Sequence, residues 1–478
     1  MPSRAVCEGA RESSMSSPTM KQIDDDGRVK RTGTSLTACA HLITAVLGSG
    51  VLSLAWAVAQ LGWIAGPAVI LTLSAINYGT SVLLCDCYRS PDPVTGMRNY
   101  TYGGAVKNIL GGRKHQYLEW AQYTTMVGIS IGFTITASLS MMAVEKSNCY
   151  HKHGHEADCY SSEYWFIAAF ALIEIILSQI PRFHDLAGLS IVASAMSFIY
   201  AFTGLGLAIA RVASGEGGTT SLTGVGLAEG VSASEKVWRA FSSIGNIAFS
   251  FGFCVILVEI QDTLKSSPPE NKTMKKACAM GGVVITLFYG ACGMIGYAAF
   301  GNKAPGNLLT GFGFYEPFWL VDLANICVAI HIIGSYQVLA HPLFSAVERW
   351  CSNKWPESKL VNSEHVVGIP KLGIIHINYL RLIWRTSYVI VMALVAMIFP
   401  FFNAVLGLIG VISFWPLAVY FPIDMYVART GMQPWSMTWT CLKLLTWTVL
   451  AACLLGAAGS FHELIEGIQK YKPFAPHG

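Results

Sequence analysis

The sequence predicts an all-α polytopic membrane protein, and three features of it say so. Hydrophobic residues fill 53% of the 478 positions and charged residues only 13%, against roughly 25% charged in an ordinary soluble chain. The charges gather between apolar runs of about 20 residues or more, the length that crosses roughly 30 Å of hydrocarbon. Mean hydropathy is +0.48. A soluble chain this long would be expected to divide into domains with polar surfaces, and the sequence has no stretch that would build one.

Residues 1–34 read as a cytosolic N-terminal tail, polar and carrying Asp24-Asp25-Asp26 ahead of Arg28, Lys30 and Arg31. They lack the basic–apolar–small pattern of a removable signal, so the first span is expected to act as its own insertion signal. The apolar runs give eleven helices, at about 35–64, 66–88, 117–145, 164–180, 186–210, 237–261, 276–300, 317–347, 380–399, 402–427 and 437–458. They make one transporter domain over 35–458, followed by an extracellular tail over 459–478. Putting the N-terminus in the cytosol places most loop Lys and Arg inside, among them Arg89, Arg98, Arg113, Lys114, Lys272, Lys275, Lys276 and Arg349, as the positive-inside rule requires. Both Asn-x-Thr sequons, Asn99 and Asn271, then fall inside and are not expected to be glycosylated. The net charge of +4 is spread over loops and gives no footprint for nucleic acid.

Most of the thirteen cysteines lie in apolar runs, where cysteine behaves as a small hydrophobe. Cys149 and Cys159 instead flank a loop with His151, His153 and His155 on the expected outer face. A disulfide suits that compartment. Zinc is the competing reading of the same loop, but exposed ligands without supporting partners are a poor site, and no metal is expected.

Two spans carry irregularities that plain crossing does not need. The first holds Gly48-Ser49-Gly50 near its middle. Glycine disfavours continued helix, and backbone groups released in lipid must line a polar cavity or bind something. Close helix packing by small residues is the alternative reading. The sixth span holds Asn246-Ile-Ala-Phe-Ser-Phe-Gly-Phe253, again with serine and glycine near mid-membrane. One irregular helix in each half is the pattern of a five-plus-five inverted repeat with its site at the repeat interface. Half-helix N-termini there face a carboxylate and unwound carbonyls face a cation, which suits a zwitterion.

At these residues the chain resembles the plant amino acid permeases of the amino acid/auxin permease family, within the amino acid–polyamine–organocation superfamily. The resemblance runs through Gly33-Thr-Ser-Leu-Thr-Ala-Cys-Ala-His-Leu-Ile-Thr-Ala-Val-Leu-Gly-Ser-Gly-Val-Leu-Ser-Leu-Ala-Trp56 and Ala59-Gln-Leu-Gly-Trp63. It continues in Tyr88-Arg-Ser-Pro-Asp-Pro-Val-Thr-Gly-Met-Arg-Asn-Tyr-Thr-Tyr102 and His331-Ile-Ile-Gly-Ser-Tyr-Gln337, and covers nearly everything after about residue 28. It implies a LeuT-type five-plus-five inverted repeat plus an eleventh transmembrane helix, a plasma-membrane location and proton-coupled amino acid import. The substrate carboxylate is then expected at the amides of Gly48, Ser49 and Gly50, and its amine at carbonyls near Val46 and Ala248 or Phe249. Ser250 and Asn246 offer side-chain hydrogen bonds, Phe253 an aromatic lid, and Tyr123 of the third span a hydroxyl for the carboxylate.

Ionisable groups inside the bilayer cost roughly 2.5–3.5 kcal/mol on insertion scales, so each needs a reason. His41 precedes Gly48 by two turns, and His331 lies mid-way along the eighth span with Ser335 one turn on. In the fold implied, the first and eighth spans form the coupling-ion site, and histidine titrates near neutrality. A neutral imidazole bonded to a neighbouring carbonyl is the competing reading. Glu174, in the fourth span, is expected to pair with a neighbour as scaffold. Glu259 and Asp262, at the inner end of the sixth span, are expected to form a gate with Arg28, Lys30 or Arg31. No phosphate-binding Gly-x-x-x-x-Gly-Lys-Ser/Thr loop occurs, so an ion gradient is the expected drive, with no cofactor, no enzymatic activity and no obligatory protein partner. An auxin-like organic acid permease and a non-transporting amino acid sensor are the alternatives.

Overall fold

The computed structural model describes residues 23–28, 30–154, 157–159, 161–180, 187–226, 230–312, 317–369 and 373–470. The first 22 residues of the tail, His155, Arg182 and residues 471–478 therefore lie outside the described residues. Helix α1 (Ser35–Val46) opens on a reciprocal cap, Thr34 Oγ1 accepting from the Thr37 amide and Thr37 Oγ1 from that of Thr34. It is followed by α2 (Gly50–Asp86), a two-stranded antiparallel ribbon of β1 (Arg89–Ser90) and β2 (Met97–Arg98), α3 (Tyr102–Leu110) and α4 (Gly112–His153). Next come α5 (Glu163–Ser178), α6 (Ala187–Ala213), α7 (Ala233–Ser250), a 3-10 turn at Phe253–Ile256, α8 (Leu257–Gln261) and α9 (Glu270–Phe300). The chain ends with α10 (Phe318–Lys354), α11 (Lys359–Asn362), the antiparallel pair β3 (Glu364–Ile369) and β4 (Gly373–Asn378), then α12 (Tyr379–Ile398), α13 (Phe402–Ser413), α14 (Phe421–Thr430) and α15 (Met437–Lys470). A π-helical stretch, Phe414–Tyr420, joins α13 to α14. The two ribbons are departures from the all-helical expectation. The architecture is otherwise helical.

Among the described residues, nine helical segments are long and apolar enough to cross a membrane, where the sequence suggests eleven. The difference has two sources. The expected first and second spans share the run Gly50–Asp86, which turns at Gly62 (φ 77°, ψ −177°), so the boundary falls at 62 rather than 65. That bend exposes backbone groups, and the loop over residues 221–225 satisfies them: Trp63 and Ile64 donate to the carbonyls of Ser221 and Leu222, and Val225 donates to Ala59. The fourth expected span is α5, only 16 residues long. Arg385 of α12, buried and paired with Glu348, donates to the carbonyls of Ser178 and Ile180 and so finishes α5 early. At the far end, α15 continues to Lys470, so residues 459–470 extend the last helix instead of beginning a tail.

Helix α2 packs along α9, α10 against α4 and α6, and α7 between α2, α13 and α15. At one end of the bundle the N-terminal segment is tied down. Gly33 pairs in parallel with Leu264, its amide donating to Thr263 and its carbonyl accepting from Lys265. Arg31 contacts Asp24, Asp26 and Asp262, while Arg89 and Arg98 both contact Asp25 and Glu270. Tyr88 donates to Asp262 at 2.6 Å. The Arg31 guanidinium holds the Asp26 carboxyl well below the usual carboxylate range. Burial works against ionisation of Asp25, but Arg98 and Arg89 outweigh it and hold that acid low as well.

Candidate functional site

Both irregular spans break where their glycines and serines stand. Helix α1 stops at Val46, Leu47 leaves helical geometry (φ −69°, ψ 84°), and α2 restarts at Gly50. Helix α7 stops at Ser250, Phe251 caps it (φ −102°, ψ 25°), and the chain passes through Gly252 into the 3-10 turn. The two breaks touch. A Cβ on Gly50 would lie 2.8 Å from Ser250 Oγ, 3.1 Å from Ser250 Cα and 3.3 Å from the Phe249 ring. Only glycine admits that approach.

Three helix ends with opposite polarity therefore meet at one place. The N-terminus of α2 presents amides with no partner inside their own helix, and the C-termini of α1 and α7 present carbonyls. The first pole favours an anion and the other two a cation. Ser49 supplies no side-chain cap to α2, and its hydroxyl is buried and unpaired. The Val46 carbonyl accepts a 2.6 Å hydrogen bond from Tyr289 of α9, which leaves one of its two lone pairs. The Ala248 carbonyl accepts from the Phe251 amide. Phe249 is half-buried beside Gly50, and Phe253 is buried at the start of the 3-10 turn.

Asn246 sits one turn above Ser250 and accepts that residue's hydroxyl on its backbone carbonyl at 3.2 Å. Its amide nitrogen donates to the carbonyls of Ser242 and Asn403, and its side-chain oxygen is buried without a partner. With Ser49, this leaves two unpaired buried polar atoms flanking the breaks, a pattern that calls for a ligand or water to complete it.

His331 of α10 faces the first break. Its Nδ1 lies 2.8 Å from the Ala193 carbonyl of α6. A carbonyl only accepts, so Nδ1 carries the hydrogen and Nε2 presents its lone pair. That nitrogen is 3.4 Å from Ser335 Oγ and 3.8 Å from where a Gly48 Cβ would stand. Tyr200 closes over the ring edge-on at 5.6 Å.

The remaining sequence candidates scatter. His41 lies on the exposed side of α1, whereas Ala38, Cys39 and Leu42 face the interior. Tyr123 is half-buried within electrostatic range of Glu119 and Arg349. Asp262 pairs with Arg31 as the gate reading expects, whereas Glu259 turns to the start of α3. Its Oε1 accepts the Tyr102 amide at 2.9 Å, capping α3 rather than joining the ion pairs. Arg28 lies 3.7 Å over the Tyr100 ring. Glu174 accepts from Gln337 at 2.6 Å. Cys149 and Cys159 are joined as a disulfide.

Two parts of the arrangement were given no role by the sequence. Tyr289 lies inside an apolar run, and a lone polar tip there was the available signal. Arg89 and Arg98 read as loop charges, yet both are buried under Asp25.

Comparison with known proteins identifies the family. Residues 31–466 match the family described as transmembrane amino acid transporter protein. Amino acid permease 6 of Arabidopsis thaliana is 58% identical over 95% of each chain, and amino acid permease 1 of the same plant is 56% identical over 96% of this chain and 95% of its own. Lysine histidine transporter-like 1 of that plant is 28% identical over 91% of this chain and 89% of its own. Among solved structures, MhsT in complex with L-phenylalanine superposes with a TM-score of 0.52 at 11% identity, covering 91% of this chain and all of that one, which speaks for the fold alone. The matched families are transporters, not enzymes. The chain belongs to the transmembrane amino acid transporter family, on its amino acid permease branch.

Proposed function

We propose that this protein is a proton-coupled symporter that imports amino acids across the plasma membrane by alternating access. The observation that carries the reading is the contact of Gly50 with Ser250, which sets the amide end of α2 against the carbonyl ends of α1 and α7. A zwitterion needs both poles within a few ångströms, and this junction has them. In this reading the chain crosses eleven times as a five-plus-five repeat and one further helix. Counting α1 with Gly50–Leu61 as the first crossing, the remainder of α2 as the second and α5 as the fourth gives that number. The N-terminus is cytosolic and the C-terminus extracellular, in accord with the Lys/Arg bias.

The proton is the coupling ion, and His331 is placed to sense it. Protonating Nε2 puts a positive charge beside Gly48, near the pole expected to hold the carboxylate. About 100 mV contributes roughly 2.3 kcal/mol per charge, and one pH unit about 1.4 kcal/mol. Together they hold a neutral amino acid gradient of roughly 500-fold per proton, at about 1.4 kcal/mol per decade. Current recording in a transport-null cell tests the reading. Inward current requiring amino acid and growing with external acidity is expected. Sodium-dependent, pH-insensitive current would overturn the proton assignment, and binding without flux would make the protein a sensor.

A further inference from the structure

The last helix lies outside the ten-helix repeat just proposed, yet it is pressed against the upper half of the broken sixth span. A Cβ on Gly459 of α15 would fall 2.5 Å from the Trp238 carbonyl and 2.6 Å from the Ser242 amide of α7. A Cβ on Gly456 would fall 2.7 Å from Val411 of α13. Packing this close brings the side chains that follow onto α7 as well. Ser460 Oγ lies 3.3 Å from Ser242 Oγ, and Ser242 Oγ donates to Glu463 Oε2 at 2.7 Å.

Glu463 is at once connected to the site and open to water. Along one face of α7, Ser242, Asn246 and Ser250 succeed each other at one-turn spacing. The Asn246 amide donates to the Ser242 carbonyl, and the Ser250 hydroxyl donates to the Asn246 carbonyl. Ser250 is the residue that touches Gly50. On its other side, Glu463 lines a cavity of about 340 Å³ with Trp56, Arg239, Phe402, Asn403 and Glu466. The charged groups around it are few. From α7 come Arg239, which is paired with Glu235, and Glu235 itself. From α15 come Glu466 and His462, the latter stacked on Trp238 at 5.3 Å. Helices α13 and α2 contribute only uncharged side chains to the cavity.

We propose that Glu463 is a second proton-binding group of the transporter, filled from the outer cavity and coupled to the substrate break through Ser242 and Asn246. The inference rests on the proton-coupled reading above and adds a residue and a helix to it. As a carboxylate, Glu463 can only accept, so the Ser242 hydroxyl points to it. Taking a proton from external water gives it an O–H, which can donate to Ser242 Oγ and turn that hydroxyl away. The charge state of the cavity is thereby registered on the half-helix that ends at Ser250.

The test measures amino acid-dependent current against external pH in the full-length protein, with surface abundance measured in parallel. Wild type is expected to respond several-fold between pH 7.5 and 5.5. Glu463→Gln is expected to respond less than twofold, and Glu463→Asp to keep the response. Where Glu463→Gln does not reach the surface, Ser242→Ala decides, since it keeps the carboxyl and removes its hydrogen bond. A half-activating proton concentration moved threefold or more supports the inference. An unchanged pH profile in Glu463→Gln, or in Ser242→Ala where that variant decides, overturns it while leaving proton coupling intact. A pH-insensitive wild type overturns both.

Discussion

The whole site turns on one missing side chain. Gly50 has Ser250 Oγ 2.8 Å from the place its Cβ would occupy, so Gly50→Val is expected to abolish uptake with the protein still at the surface. Uptake normalised to surface-labelled protein measures this, and uptake above one tenth of wild type would contradict it. Tyr289 holds the Val46 carbonyl at 2.6 Å. Removing that bond in Tyr289→Phe costs about 1 kcal/mol, and a roughly fivefold higher half-saturating amino acid concentration is expected from dose–response uptake. The residues of the breaks were legible in the sequence because glycine and serine recur mid-span in the first and sixth spans, which helix packing alone does not require. Tyr289 was not, since its role depends on which helix lies opposite. The contact of Glu259 with the Tyr102 amide was hidden for the same reason. A helix-borne side chain announces its depth in the membrane but not the direction in which it points.

Among elements, the bend at Gly62 shows how one residue divides a 37-residue run. Its φ of 77° belongs to glycine, and a Cβ there would stand 2.2 Å from the Gly224 amide nitrogen. Gly62→Ala is therefore expected to destabilise the protein by roughly 1–3 kcal/mol from backbone strain, with the clash adding to it. A lower melting temperature of the purified variant checks this, and an unchanged one contradicts it. Hydropathy located the run but put its division at 65, because nothing in the local sequence reports that residues 221–225 arrive to satisfy the bend. Long-range caps also explain the short α5, finished by Arg385 from 207 positions away. The two ribbons were missed as well. β1 and β2 are two residues each, too short to show an alternating pattern.

Across the whole molecule, the end of the bundle that holds the N-terminal segment is tied by charge and the middle by backbone. Arg31 ties Asp24 and Asp26 of the tail to Asp262 at the end of the broken sixth span, so opening that end must separate them. Asp25 and Asp26 are held low by arginines. Acids with lowered values contribute stability above the usual carboxylate range and lose it only as pH falls through the lowered values. Spin labels at Lys30→Cys and Lys265→Cys are accordingly expected to give one distance from pH 8 to pH 5, and a broader distribution once Arg31→Ala is added. A distance that changes near pH 6 would contradict this. The family and the helical plan could be read in advance from composition and motifs, whereas the three-arginine seal appeared only when the tail was seen folded over the first loop. The central claim, that the meeting of the two breaks is the substrate site, is tested most directly at Ser49, whose hydroxyl is buried and unpaired there. A Ser49→Cys variant, compared with the wild-type background, is expected to lose labelling by a small thiol reagent as amino acid is added, with half-protection at the concentration that half-saturates transport. Labelling that persists at saturating amino acid, in a variant that still transports, would contradict it.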